Sequence, residues 1–181
     1  VVNIQFTIPS WYVLIPLFLV LVMYYGSKTF ARGVYAVPQF VVILSFIVYS
    51  LAVIHLVFFP IDVNIGQYAN QTPWYKTINF IPILTIDIKT FVLNIVMMIP
   101  LGIYLPLLKS KFNRAASVVW FTLWISLSLE ALQMIVRIVL GSGRSTDIND
   151  LIANTIGGAV GFLAYLILIK AKPIRQLSLC E

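Results

Sequence analysis

The chain is poor in charge, cysteine and histidine. Only 10% of its 181 residues are charged, against about 25% in ordinary soluble domains. The single cysteine, Cys180 next to the C-terminus, excludes an intrachain disulfide framework and a thiolate metal cluster. The single histidine, His55, excludes a histidine-rich metal site, and no resident metal or other cofactor is expected. Six acids stand against twelve Lys and Arg. The placement of that excess reads as membrane orientation, not as a nucleic-acid surface. Nothing positive precedes the first apolar run, so no cleavable signal is expected.

What the chain has in abundance is apolar sequence, 61% of residues. Five runs are candidate membrane spans: 9–25, 38–59, 91–108, 116–139 and 151–169. A span needs roughly 20 predominantly apolar residues, so the first and third are expected to extend into their flanks or break locally. None shows the strict alternation of a barrel strand. The expected fold is all-α, a polytopic membrane bundle of about five helices forming a single domain over 1–181. The loop 60–90 holds Pro73-Trp74-Tyr75 and Asn79-Phe80-Ile81-Pro82. It is too apolar for a solvated linker and reads as an amphipathic or re-entrant segment at the outer leaflet.

Orientation follows from Lys and Arg, which concentrate on the cytoplasmic side. Lys28, Arg32, Lys109, Lys111, Arg114, Lys170, Lys172 and Arg175 fall on one side of the five spans. Lys76, Lys89, Arg137 and Arg144 fall on the other or near it. The N-terminus is therefore expected outside and the C-terminus inside. Trp11 and Tyr12 at one end of the first span, and Tyr24 and Tyr25 at the other, suit interfacial anchors.

A polar stripe interrupts the fourth run. Glu130, Gln133 and Arg137 are spaced i, i+3, i+7, which puts them on one helix face. A charge at the centre of a bilayer costs about 2.5–3.5 kcal/mol even on an insertion scale. Such a stripe must face protein or a water-filled cavity. At about 1.5 Å of rise per residue, Arg137 lies ~3 Å, Gln133 ~9 Å and Glu130 ~14 Å below the outer end of the span. Asn94 in the third span and Asn154 in the fifth reach a similar outer depth. Asp147, Asp150 and Asn154 repeat the i, i+3, i+7 spacing, and His55 falls in the outer half of the second span. Asn94, Glu130, Gln133, Arg137, Asp150 and Asn154 are therefore expected around one outward-opening cavity.

Blander roles compete. Polar side chains in bundles often serve only as interhelical glue, at about 0.6 kcal/mol per hydrogen bond, and Asn94 fits that role as well as a binding one. Asp147 and Asp150 suit the N-terminus of the fifth helix, with Ser145 or Thr146 as its cap. For Asp147 this structural role is the preferred one. His55 reads as a hydrogen-bonded core residue. For Glu130 and Arg137 a functional role is preferred, because Ser or Asn would supply glue at lower cost. Gly157 and Gly161 form a G-x-x-x-G face suited to packing inside the bundle. Pro100 and Pro106 predict a bend in the third span, eased by Gly102, and Gly141-Ser142-Gly143 predicts a flexible loop start.

These residues, taken in order, resemble the VanZ-like family of bacterial membrane proteins. The resemblance rests on Asn79-Phe80-Ile81-Pro82, then Asn94 with Pro100-Leu101-Gly102 and Pro106. It continues through Glu130, Gln133 and Arg137 to Arg144-Ser145-Thr146-Asp147, and closes with Asp150, Asn154 and Gly157-Gly158. It covers about residues 79–162. It implies a multi-span protein of the bacterial plasma membrane and an association with resistance to teicoplanin, a glycopeptide antibiotic bearing an acyl chain. It brings no assigned catalytic residues.

Three functions remain open. The first is binding of an amphiphile from the membrane, a lipid-linked intermediate or an acylated glycopeptide. Arg137 and Arg144 would grip an anionic head, while Asn94, Gln133, Asp147 and Asn154 satisfy its other polar atoms. The second is an enzyme acting on a lipid-linked envelope intermediate, with Glu130 and Asp150 as general acid and base. No Ser–His–Asp pattern, suitable cysteine or phosphatase motif supports it. A metal held by Asp147, Asp150 and Glu130 is only weakly signalled. The third is a structural partner of another envelope protein, docking through the Gly157–Gly161 face.

The orientation is directly testable. A cysteine-specific reagent applied from outside should modify Thr72→Cys or Ser142→Cys and leave Ser110→Cys untouched. Labelling of Ser110→Cys alone would reverse the topology.

Overall fold

A computed structural model describes residues 3–143 and 145–171. Arg144, Lys172, Arg175 and Cys180 lie outside the described residues. Among the described residues, five helices are long and apolar enough to cross a membrane. They are α1 (Trp11–Gly26), α2 (Val37–Phe58), α3 (Ile88–Leu108), α4 (Ala115–Leu140) and α5 (Ile148–Leu168). The two short runs do extend into their flanks. α1 continues as a wider turn through Ala31. α3 begins at Ile88 because Asp87 caps it, its carboxylate accepting from the Thr90 amide and hydroxyl. Those two bonds hold the Asp87 carboxyl below the usual carboxylate range.

Four short strands among the described residues were not expected from the sequence. β1 (Ile4–Ile8) pairs antiparallel with β2 (Ile61–Ile65), from Ile4 opposite Ile65 to Ile8 opposite Ile61. β3 (Ile78–Asn79) pairs parallel with β4 (Thr146–Asp147). By chain order all four fall at one end of the bundle, where α1, α3 and α5 begin and α2 and α4 finish. The expected outer segment between α2 and α3 takes the form of β2, two short 3-10 turns and β3. An apolar loop follows, whose Phe80, Ile81, Ile83 and Leu84 are exposed.

Packing is uneven. α1 contributes no buried residue. It lays Leu14, Phe18 and Leu21 against Ile43, Ile47 and Leu51 of α2. The main core joins Val53 of α2, Met98, Leu101 and Leu105 of α3, Val118 of α4 and Phe162 of α5. Outside it, Val92, Val96, Trp120, Trp124, Ile135, Ile138, Leu163 and Ile167 are exposed around the girth. In water such a continuous apolar surface would drive association; in a bilayer it meets lipid.

The tightest contact is between α3 and α5. A Cβ at Gly161 would run into the Ile99 carbonyl oxygen, and one at Gly157 into that of Ile95. Gly102 meets the backbone of α5 in the same way. The Gly157–Gly161 face is therefore occupied by α3 and is not free to dock a partner. Gly141 is not a flexible start. It ends α4 in the left-handed conformation, φ 66°, a position that favours glycine, and abuts the Asn64 carbonyl of β2. Ser142 is buried, so Thr72 is the better reporter for outside labelling.

Gly161→Ala should destabilise the bundle by about 1–3 kcal/mol, as overpacking does. Gly26→Ala, with nothing near its would-be Cβ, should not. Thermal unfolding in detergent of the two variants compares them. Equal stability would mean that the helices separate more easily than their packing implies.

Candidate functional site

A cavity of about 580 Å³ lies between α2, α3, α4 and α5. Its walls are apolar: Val53, Leu56, Val57, Leu93, Val96, Met97 and Leu129. Its polar lining is Asn94, Glu130, Gln133, Asp150 and Asn154, with Thr90 and Tyr49. Leu56, Leu93 and Val96 both line the cavity and are exposed, at 62%, 56% and 55%. The opening is thus on the side of the bundle, between α2 and α3, where the surrounding surface is apolar.

Each polar group is set by its helix. Asp150 sits in the first turn of α5, and Asn94 of α3 donates to its Oδ1 at 2.6 Å. Glu130 is only 5% exposed, and the Asp147 backbone N–H donates to its Oε2 at 3.3 Å. Gln133 donates to the Val57 carbonyl at 3.0 Å, tying α4 to α2. Asn154 is 4% exposed. Its Nδ2 donates to Ser126 Oγ at 2.9 Å, and its Oδ1 has no partner.

Five of the six residues expected around one cavity are therefore together. Arg137 is not with them. The stripe does turn inward, and Arg137 is 7% exposed. However, it lines a second hollow of about 410 Å³, with Asn64 to Gly66 and Ala69 to Pro73. There its Nη1 donates to the Ser142 carbonyl at 3.5 Å, beyond the end of α4. A long side chain in the last turn reaches outward to the helix end. Arg144 lies outside the described residues. No Lys, Arg or His stands among the described residues lining the larger cavity.

Asp147 is engaged structurally. It is itself the N-cap of α5, where Ser145 or Thr146 was expected. Its Oδ1 accepts from the Asn149 amide at 2.8 Å and its Oδ2 from Asn79 Nδ2 at 3.0 Å. It meets the cavity only through its backbone contact with Glu130. His55 is exposed on α2 rather than a hydrogen-bonded core residue, and it does not line the cavity. Among the described residues no three His, Cys, Asp or Glu side chains are grouped to hold a metal.

Sequence reading missed three contributors. Thr122 and Ser126 are fully buried on the α4 face that carries Glu130. Thr122 packs under Gly158, and Ser126 anchors Asn154. The signal was present as an i, i+4, i+8 series, but small hydroxyl residues are common in membrane helices. Asn149, 3% exposed, holds the loop before α3. Its Oδ1 accepts from the Ile83 amide at 2.9 Å, and its Nδ2 donates to Thr85 Oγ1 at 3.2 Å.

Residues 46–169 match the family model described as VanZ/LLP1. No curated protein and no solved structure matches the chain.

Removing the Asn149 amide should free the loop without opening the bundle. In Asn149→Ala, amide exchange at Ile81–Thr85 should accelerate by about tenfold or more, the worth of one lost hydrogen bond to a buried group, while α3 and α5 stay protected. Unchanged exchange in the loop would show that β3 and β4 alone hold it.

Proposed function

The chain belongs to the VanZ/LLP1 family, and from that premise we propose that it binds an amphiphile drawn sideways from the membrane. The polar head would lodge among Asn94, Glu130, Gln133, Asp150 and Asn154. The acyl chain would leave between α2 and α3. The observation that carries this reading is a side opening framed by exposed Leu56, Leu93 and Val96 over a polar interior. A cavity of about 580 Å³ is in the range of small-molecule sites, roughly 300–1,000 Å³. It suits a head group with the first part of its chain. The role proposed for the bound state is a contribution to resistance against acylated glycopeptides, in a bacterial plasma membrane with the strand-bearing end of the bundle outside.

Two carboxyl groups in one sheltered cavity also meet the minimum requirement for acid–base catalysis. Among the described residues the lining offers no activated nucleophile to go with them. Tyr49 gives its hydroxyl proton to the Met97 carbonyl at 2.8 Å, and Thr90 gives its own to Asp87. Binding is therefore the preferred reading, and a reaction would show as product formed from a lipid-linked envelope intermediate.

Glycopeptide susceptibility of cells carrying variants tests the proposal. Leu93→Trp, which fills the opening, and Glu130→Gln should accumulate normally in the membrane yet lose most of the protection. Arg137→Gln should instead lower the amount of folded protein, and Arg137→Lys should restore much of it, because the side chain works at the end of α4 and not in the cavity. Full protection by Leu93→Trp and Glu130→Gln at normal abundance would sink the binding reading.

A further inference from the structure

We propose that residues Phe80–Leu84 form a fixed apolar finger seated in the membrane leaflet at the strand-bearing end of the bundle. Its partner is the acyl layer of that leaflet. The proposal does not depend on what the cavity binds.

The first support is placement. α3 has 21 residues, a length of about 30 Å that matches the hydrocarbon core of a bilayer. Its first turn therefore lies at the edge of the acyl layer, and exposed Asp87 and Lys89 suit the headgroup level there. The finger is joined to that turn by only Thr85 and Ile86 ahead of the Asp87 cap. Phe80, Ile81, Ile83 and Leu84 are all exposed, Leu84 at 88%. Further along, Ile88, Val92 and Val96 are exposed as well, and their spacing of four puts them on one face of α3. The chain thus passes from an apolar finger directly into a lipid-facing helix face.

The second support is the backbone of the finger. A loop in water can leave its amides to solvent, whereas a loop in lipid needs partners within the protein. The Ile81 amide donates to Asn79 Oδ1 at 3.1 Å and the Ile83 amide to Asn149 Oδ1 at 2.9 Å. The Leu84 amide donates to the Pro82 carbonyl at 2.8 Å and the Ile86 amide to the Ile83 carbonyl at 3.3 Å. Pro82 has no amide hydrogen to satisfy. The Ile81 carbonyl accepts from Thr85 Oγ1 at 2.8 Å. Polar groups of the finger are thus spent on Asn79, Thr85 and buried Asn149, while its apolar side chains are left outside.

The third support is Ile83. It holds a left-handed conformation, φ 69°, which is an outlier for a β-branched residue and persists only where its surroundings impose it. The bond from its amide to Asn149 is part of that imposition. An isoleucine held there and exposed gains nothing from water, but it gains from an apolar surrounding. Lipid is favoured over a partner protein because the exposed apolar surface does not stop at the finger. It runs on along α3, through residues at bilayer depth.

The test places a bimane label at Leu84→Cys in the full chain carrying Cys180→Ser. The protein sits in phosphatidylcholine nanodiscs, which leave both faces of the bilayer open to solutes. Val96→Cys is the lipid reference and Thr72→Cys the water reference. A phosphatidylcholine with a nitroxide near the top of its acyl chain should quench the Leu84 label several-fold more than the Thr72 label. Dissolved iodide should show the reverse order. Quenching of Leu84 that matches Thr72 would place the finger in water and overturn the proposal. Shielding of Leu84 from both quenchers would mean that protein covers it, which overturns the proposal equally. Unaltered protein gives a second reading where the variant does not fold. Irradiated with a phosphatidylcholine carrying a diazirine on its acyl chain, it should acquire lipid adducts within residues 80–84 as well as 92–96. Adducts at 92–96 alone would reject the finger as a lipid contact.

Discussion

The backbone-to-backbone approach of α3 and α5 is the constraint on which the rest of the bundle depends. Lipid gives helices little hydrophobic reason to associate, so contact must come from close packing and hydrogen bonds. Gly102, Gly157 and Gly161 remove the side chains that would hold the two axes apart. That contact fixes the register of α3 against α5 and lets Asn94 reach Asp150 at 2.6 Å. Gly158, on the neighbouring face of α5, receives Thr122 and seats α4. From there Ser126 reaches Asn154. α2 stands further off, joined to α4 by Gln133 and to α3 by the Tyr49 hydroxyl. The cavity is the space left where α2 does not close on the other three.

The two acids are tolerated here because each lies near a helix start or accepts from a neighbouring donor. Asp150 lies one turn inside α5, where the helix dipole favours negative charge. Glu130 draws on a backbone amide of the chain just before α5. A carboxylate pair in the middle of an otherwise apolar wall would be hard to retain. Near the start of one helix, with amides beside it, the same pair costs less.

Much of this was legible in the sequence, and the failures have physical causes. Five apolar runs of bilayer length could hardly mean anything else, and the inward turn of Glu130, Gln133 and Arg137 follows from helical phase alone. Phase gives the direction of a side chain but not its reach. Arg137 leaves the stripe because its long stem ends beyond the last turn of α4, whereas the shorter Gln133 stays inside. His55 was misread because a lone polar residue in an apolar run carries no phase signal. The strands were invisible for another reason. β1 and β2 are five residues each and their pairing spans the whole α1–α2 hairpin, while β3 and β4 are two residues each. The capping of α5 by Asp147 was missed by one or two positions because Ser145, Thr146 and Asp147 are all good caps.

The order in which the chain is made adds a consequence. α1 and α2 can be sealed as a pair once residue 65 is out, since β1 then has its full partner. α3 has no such early closure. Its glycine-bearing face waits through the synthesis of α4, and β3 waits equally long for β4. During that interval Asn94 has no Asp150 to bond, and the face of α3 destined for α5 lies against lipid. A slow ribosome between α3 and α5 would lengthen the vulnerable period for degradation by membrane proteases. The two halves of this protein therefore mature on different clocks, and the later half is the one that carries the cavity's acids.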